Sequence, residues 1–332
     1  MTKRIAIVGA GSWGTALAVI GARAGHEVML WSRDPAIVRS INEQRINSRY
    51  LTDTSIPDRV TATNNMEDAL DLASLVLLAA PSHAARAVLT AMTPELDDDA
   101  IIVSVSKGIE IDTGKRISEI VKEVAGGARA FVCLSGPSFA KEVVIGQPTA
   151  IVAASKDAAA ARTVQTDFSF ENLRIYTNAD VIGAELGGSV KNVMAIAAGM
   201  TTGLGLGSNS VAALITRGLA EITRLARREG AQVETLMGLA GLGDLVLTCT
   251  GSLSRNRYVG EQLGKGKPLD EITASMNEVA EGIKTTQAVK HLADRAGLEM
   301  PITNEVNAVL YEGKSVRTAV TELMSRPLRE EV

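Results

Sequence analysis

The stretch RIAIVGAGSWGTALAVIGARAG, residues 4–25, decides the fold. Arg4 to Val8 is a short run of mostly branched apolar residues, the pattern of a strand buried on both faces of a parallel sheet. Gly9, Gly11 and Gly14 follow with the spacing GxGxxG, and Thr15 to Ala24 then reads as a helix stopped by Gly25. That glycine pattern is weak by itself and strong between a strand and a helix, because each glycine then has its own task. Gly9 permits the tight turn, Gly11 lets the backbone approach a pyrophosphate, and Gly14 lets the helix lie close to the strand with its N-terminus facing the anion. Ser12 and Trp13 lie in the same loop; Trp13 either covers a dinucleotide or packs.

Glu27 to Trp31 (EVMLW) is the second strand. Where NAD is preferred, an acidic residue ending this strand binds the ribose 2'-hydroxyl. Here the strand ends in Trp31-Ser32-Arg33, and a hydroxyl with a guanidinium suits a 2'-phosphate, which favours NADP(H). Asp34 is next in line and keeps NAD(H) open, although Asp34-Pro35 also reads as a helix N-cap followed by proline at the first helical position. Ile37 to Arg45 reads as a helix, and 47–58 as an irregular connection.

Further strands are expected at Ser74–Ala80, Ala100–Val105, Ala130–Leu134, Thr149–Ala154 and Leu173–Thr177. Helices are expected from His83 to Met92, capped by Ser82, and from Lys156 to Phe168. Three strand ends bring chemistry to one sheet edge: Pro81 to His83, Ser106-Lys107-Gly108, and Ser135-Gly136-Pro137-Ser138. Lys107 is the single charge between Asp99 and Glu110. A cation fixed there meets an anionic substrate or a carbonyl oxygen; the plainer alternative is a solvated loop lysine. Strand signals end near Thr177, so the chain divides into a Rossmann-like, mostly parallel α/β domain (1–179) and an all-α substrate domain (180–332).

The helical part holds a second oddity. In ELGGSVKNVMAIAAG, residues 185–199, Lys191 rises from a face of small residues, and it is the only charge between Glu185 and Arg217. Such a lysine snorkels out, finds a counter-charge, or serves as a general acid or base. Asp244 stands equally alone among the leucines and glycines of 236–254, and Lys191 is its natural partner. Gly199 to Gly207 is rich enough in glycine to bend or interrupt the helix. Ser254, Arg255 and Asn256 open another helix, where N–H groups, a guanidinium and an amide make a phosphate site; the plain reading is a serine cap with surface arginines.

The chain of 332 residues is long enough for two domains, and its 46% hydrophobic and 22% charged content is that of an ordinary globular protein. A net charge of -4 argues against nucleic acid as a partner. Cys133 and Cys249 show no metal-ligand spacing and read as buried thiols. No apolar run comes near the ~18 residues of a membrane-spanning helix, and the N-terminus has no signal-peptide pattern, so a cytoplasmic location is expected. Together these features describe a two-domain dehydrogenase for a small phosphorylated ketone or alcohol, with Lys191 handling the proton.

The motifs GAGSWG (9–14), SKGIE (106–110), SGPSFAKEV (135–143), ELGGSVKNVMAIAAG (185–199) and GLGDLVLTCTGSLSRNR (241–257) closely resemble bacterial NAD(P)-dependent glycerol-3-phosphate dehydrogenase along the whole chain. The resemblance implies interconversion of dihydroxyacetone phosphate and sn-glycerol 3-phosphate, a supply of glycerol phosphate for phospholipids, and a homodimer. It also implies Lys191 as proton acceptor and substrate ligand. Lys107, Gly136, Ser138, Asp244, Ser254, Arg255 and Asn256 match substrate-contacting positions. Ser12, Trp13, Arg33, Lys107, Ala140, Arg255, Val279 and Glu281 match dinucleotide-binding positions. Two rivals remain at this level: a lysine-using hydroxy-acid dehydrogenase, and a nucleotide-sensing module without catalysis.

Overall fold

The computed structural model describes residues 2–127, 129–276, 278–328 and 330–331. Its first part is one eight-stranded sheet in the order β3-β2-β1-β4-β5-β6-β7-β8. The strands are β1 (Arg4–Val8), β2 (Glu27–Trp31), β3 (Val60–Thr63), β4 (Leu75–Leu78), β5 (Ile101–Ser104), β6 (Phe131–Ser135), β7 (Thr149–Ala154) and β8 (Leu173–Asn178). β1 to β6 pair parallel with one another, β7 runs antiparallel to β6, and β8 parallel to β7. The sheet is therefore a Rossmann-type, mostly parallel one with an extension at one edge.

Continuous apolar strands follow from burial on both faces. In β1, Ile5 and Ile7 enter the core on one side while Ala6 and Val8 enter the core on the other, and β4 divides Leu75 and Leu77 from Val76 and Leu78 in the same way. Side chains alternate across a strand, so a sheet covered on both sides has no polar register to show.

The sequence expectation of seven strands misses β3. VTAT is a short, threonine-bearing edge strand whose weak apolar pattern emerges as a strand through pairing with β2. Ser82 also departs from expectation. It starts a 3-10 turn (Ser82–Ala84) ahead of the helix Ala85–Met92 and caps nothing with its side chain.

After β8 the described elements are helical. The core helix, Val181–Gly203, lies at the centre and carries Lys191. It ends at Gly203, inside the glycine-rich stretch 199–207 where the sequence marks an interruption, and the next helix begins at Ser208. A β-carbon on Gly199 would lie 2.0 Å from the Arg257 carbonyl oxygen, and one on Gly260 would lie 1.9 Å from the Ile196 carbonyl oxygen. These glycines let the core helix and the helix Arg255–Gly264 touch backbone to backbone. The core helix also corrects the expectation about apolar length. Its 23 residues suffice in length and hydropathy to cross a membrane, but its most apolar window is 94% buried inside the protein. A count that stops at Lys191 misses this span.

Candidate active site

The glycine loop forms as the sequence requires. Helix α1 (Ser12–Arg23) begins at Ser12, three residues before the sequence places it, with Gly11 as N-cap. Gly9 has φ +126°, and a β-carbon there would lie 2.6 Å from the Ala79 carbonyl oxygen; one on Gly14 would lie 1.9 Å from the Gly9 carbonyl oxygen. Both glycines are thus demanded by the protein's own packing. Gly11 differs: a β-carbon there meets nothing within 4 Å. A bare backbone facing open space at the N-terminus of α1 fits a dinucleotide pyrophosphate, so the loop passes the test that the fingerprint sets.

At the end of β2, Ser32 is buried and Arg33 is exposed. Asp34 caps helix α2 (Pro35–Gln44), its Oδ1 accepting from the Ala36 N–H at 2.9 Å, and its Oδ2 lies 3.6 Å from Arg49 Nη1. The carboxylate that could favour NAD(H) is engaged within the protein, whereas the Arg33 guanidinium is open to solvent.

Lys107, Lys191 and Asp244 meet in one cluster. Lys191 Nζ donates to Asp244 Oδ1 and to Thr248 Oγ1, each at 2.7 Å. Lys107 Nζ donates to Asp244 Oδ2 at 2.7 Å and to the Gly136 carbonyl at 2.8 Å. Ser138 Oγ donates to the same carbonyl at 3.0 Å. Asp244 is 1% exposed and bridges two ammonium groups that come from opposite parts of the fold.

Glycine makes this meeting possible. A β-carbon on Gly187 would lie 2.5 Å from the Ala240 carbonyl oxygen, and one on Gly188 would lie 2.6 Å from Ser135 Oγ. The core helix therefore presses against both the end of β6 and the π turn Leu239–Gly243, from which the helix Asp244–Thr250 emerges. A single π turn inserted in a helix is a frequent way to aim a functional side chain.

Burial pulls Lys191 down to about 8; Asp244 opposes that, and Lys107 reinforces it as a neighbouring positive charge. Burial pushes the Asp244 carboxyl the other way, yet Lys107 and Lys191 outweigh it and hold the group below its ordinary range. Lys191 is thereby poised near neutrality, where an amine can both give and take a proton. The two thiols are of another kind. Cys133 and Cys249 are buried and free, and burial raises both, Cys249 to about 12.

The remaining sequence-chosen residues gather in two neighbouring groups. Ser254 caps the helix Arg255–Gly264, its Oγ accepting from the Arg257 N–H at 3.2 Å. Asn256 is buried, donates to Asn192 Oδ1 at 3.0 Å and accepts from the Gly282 N–H at 2.9 Å. Arg255 points instead toward the glycine loop: its Nη1 donates to Glu278 Oε2 at 2.8 Å and to the Val279 carbonyl at 3.2 Å. Ser12 Oγ lies 2.9 Å from both Glu278 oxygens. Glu281 accepts from Ser82 Oγ at 2.5 Å and from the Ser82 N–H at 3.2 Å. A β-carbon on Gly108 would strike that Ser82 hydroxyl, at 2.3 Å. Trp13 and Ala140 are partly buried and pack against the sheet core.

Sequence reasoning passed over Thr248, Asn192 and Glu278. Thr248 was within reach, since it lies four residues after Asp244 on a helix and so shares its face. Glu278 sits 266 residues from Ser12, a separation that hides any local signal.

Residues 4–161 match the family described as NAD-dependent glycerol-3-phosphate dehydrogenase N-terminus, and residues 180–321 match its C-terminus. The chain belongs to the NAD-dependent glycerol-3-phosphate dehydrogenase family. Among its relatives, the glycerol-3-phosphate dehydrogenase [NAD(P)+] of Koribacter versatilis is 55% identical over 99% of both chains. The corresponding protein of Citrifermentans bemidjiense is 51% identical, across 100% of this chain and 99% of the relative. The crystal structure of glycerol-3-phosphate dehydrogenase from Coxiella burnetii superposes with a TM-score of 0.95 at 41% identity, covering 98% of this chain and 99% of that one. In this dehydrogenase the family match runs through both the sheet and the helices that supply the lysine-aspartate cluster.

Proposed function

We propose that the protein interconverts dihydroxyacetone phosphate and sn-glycerol 3-phosphate with NAD(P)H, supplying glycerol 3-phosphate for phospholipid synthesis. The observation that carries this reading is the buried carboxylate of Asp244 held between Lys191 and Lys107 at 2.7 Å each, beside a dinucleotide loop. Domain 1–179 binds the dinucleotide and domain 180–332 brings the proton-handling lysine to it.

Bound NAD(P)H supplies the hydride. Lys191 donates a proton to the C2 oxygen as negative charge develops there, so the product leaves as an alcohol rather than an alkoxide. In the oxidative direction the neutral amine removes the hydroxyl proton. Asp244 orients the ammonium and keeps the two lysines from repelling each other out of the site. Lys107, Gly136 and Ser138 hold the substrate's oxygen end, and Ser254, Arg255 and Asn256 at a helix N-terminus hold its phosphate. Gly9, Gly11, Ser12, Trp13, Gly14, Ala140, Val279 and Glu281 form the dinucleotide cradle with Lys107 and Arg255, and Arg33 receives the 2'-phosphate, so NADPH is preferred over NADH.

The enzyme works in the cytoplasm, without nucleic acid, as a homodimer; exposed Met237, Val246 and Leu253 provide apolar surface for a second copy. Light scattering at micromolar concentration tests the dimer. The reaction is tested by loss of NADPH absorbance on adding dihydroxyacetone phosphate, repeated with NADH and with a panel of 2- and 3-hydroxy acids. Lys191→Ala is expected to abolish turnover and to leave NADPH binding by fluorescence nearly unchanged. Near-normal turnover in that variant would remove Lys191 from the mechanism, and turnover of hydroxy acids alone would replace the substrate.

A further inference from the structure

Lys107 and Lys191 meet at Asp244 although they are carried by separate parts of the fold, so something must set the loop bearing Lys107 against the core helix. That loop is a small hairpin. Ile109 and Arg116 form an antiparallel bridge, and the Glu110 N–H donates to the Lys115 carbonyl at 2.9 Å. Its apolar side is inserted into the helical core: Ile109 is 2% exposed and shares a cluster with Leu186 and Val190 of the core helix.

Beside that contact, Glu185 is buried, 6% exposed, and lies ~9 Å along the helix axis before Lys191. Its carboxylate accepts from the Ser118 N–H at 2.7 Å, from Ser118 Oγ at 2.6 Å and from Arg116 Nη1 at 3.1 Å. All three donors belong to the distal end of the hairpin and the helix Ile117–Val124 that follows it. Nothing in the proton transfer calls for a carboxylate at this place.

We infer that Glu185 is a positioning residue: by clamping Arg116 and Ser118 it seats the hairpin 107–116 on the core helix and thereby delivers the Lys107 ammonium to Asp244 beside Lys191. This rests on the roles given above to Lys107 and Lys191. Lys107 is held at the site by two contacts, the Gly136 carbonyl and Asp244. A hairpin that shifts at its far end moves the near end with it, because the bridge at Ile109 and Arg116 joins them.

A mere packing role is distinguished by the pH profile. The charged and titratable groups that face Lys191 are Asp244 and Cys249 from the helix Asp244–Thr250 and Lys107 from the hairpin. Those that face Glu185 are Arg116 and Cys133. Withdrawal of Lys107 removes a like charge from Lys191 and leaves Asp244 to it alone, so the alkaline limb of the reduction profile moves to higher pH.

The experiment compares Glu185→Gln, Arg116→Gln and Lys107→Met in steady-state reduction of dihydroxyacetone phosphate across about pH 6 to 10. For the first two variants we expect KM for the ketone to rise about tenfold, with the limb displaced upward by about half a pH unit or more. NADPH affinity, read by fluorescence, falls by no more than it does in Lys107→Met, because Lys107 also belongs to the dinucleotide cradle. Arg116→Lys should restore part of the loss. If Glu185→Gln does not fold, Ser118→Ala removes one hydroxyl and should move both quantities in the same direction by less. Wild-type KM and limb in Glu185→Gln and Arg116→Gln, while Lys107→Met raises KM, would overturn the positioning role. Wild-type KM and limb in Lys107→Met would overturn the role of Lys107 itself, and the inference with it.

Discussion

Asp244→Asn removes one negative charge from between two ammonium groups and leaves the side-chain shape almost unchanged. Each lysine nitrogen lies 2.7 Å from a carboxylate oxygen, and the aspartate is 1% exposed. Burial lowers Lys191, Asp244 opposes that and Lys107 adds to it, so loss of the carboxylate removes the main influence that raises the amine and leaves only the weaker one of Cys249. An opposite charge at this range is worth about 1–3 pKa units. Lys191 should therefore fall from about 8 to somewhere near 5–7 in the variant. At about pH 7.5 the ammonium fraction then drops from about three quarters to about one quarter at the upper end of that range and below about one percent at the lower end. Protonation alone predicts a loss of about 3- to 200-fold in kcat/KM for reduction, recovered in part by working at lower pH. Breaking the buried pair should also cost about 3–5 kcal/mol of stability, less what is regained when Lys191 gives up its proton. The assay is NADPH absorbance loss with dihydroxyacetone phosphate at a series of pH values, with thermal unfolding measured in parallel. An alkaline limb that stays near pH 8, with the same fractional loss at every pH, would refute the reasoning. Lys191 would then not be the titrating acid, or Asp244 would not be what holds it.

Other outcomes follow from the same geometry. In the wild type, reduction should decline and oxidation rise as pH increases through about 8, because one direction needs the ammonium of Lys191 and the other its free amine. The stability linked to Lys191 has the matching sign: between about 8 and the unfolded value of about 10.4 the unfolded chain holds more protons, so this group's penalty on the fold shrinks as pH rises. Denaturant titrations across that window would show no such rise in stability if the lysine were not depressed. Arg33→Ala should raise KM for NADPH by roughly 10- to 100-fold, the worth of charged hydrogen bonds of about 1.5–3 kcal/mol, and change KM for NADH little; equal effects on both would take Arg33 away from the 2'-phosphate. Gly260→Ala places a methyl group 1.9 Å from the Ile196 carbonyl oxygen, so the two helices must part. A loss of about 3 kcal/mol is expected by chemical denaturation, and a variant within about 0.5 kcal/mol of wild type would show that this backbone contact is not required.

Much of the site is readable in the chain because charge is scarce around it. Lys107, Lys191 and Asp244 each stand alone in a long uncharged stretch, and a lone charge in apolar sequence must be paired or put to use. Glu185 and Glu278 escaped attention for the opposite reason. Each is one acidic residue among many possible ones, and its partners, Arg116 and Ser118 in one case and Ser12 and Arg255 in the other, are remote in sequence.

By itself the sequence determined the glycine turn, the buried parallel strands, the change from strands to helices after β8, and the identity of the isolated charges. These depend on near neighbours: a strand's period, a turn's need for glycine, a helix's spacing of small residues. Only the tertiary structure decided that β3 pairs at the sheet edge, that Ser82 binds Glu281 instead of capping a helix, and that Gly199 sits at a close helix crossing. It also decided that one aspartate serves two lysines. Each of these depends on what the fold brings within a few ångströms, and residues separated by tens or hundreds of positions carry no local trace of that meeting.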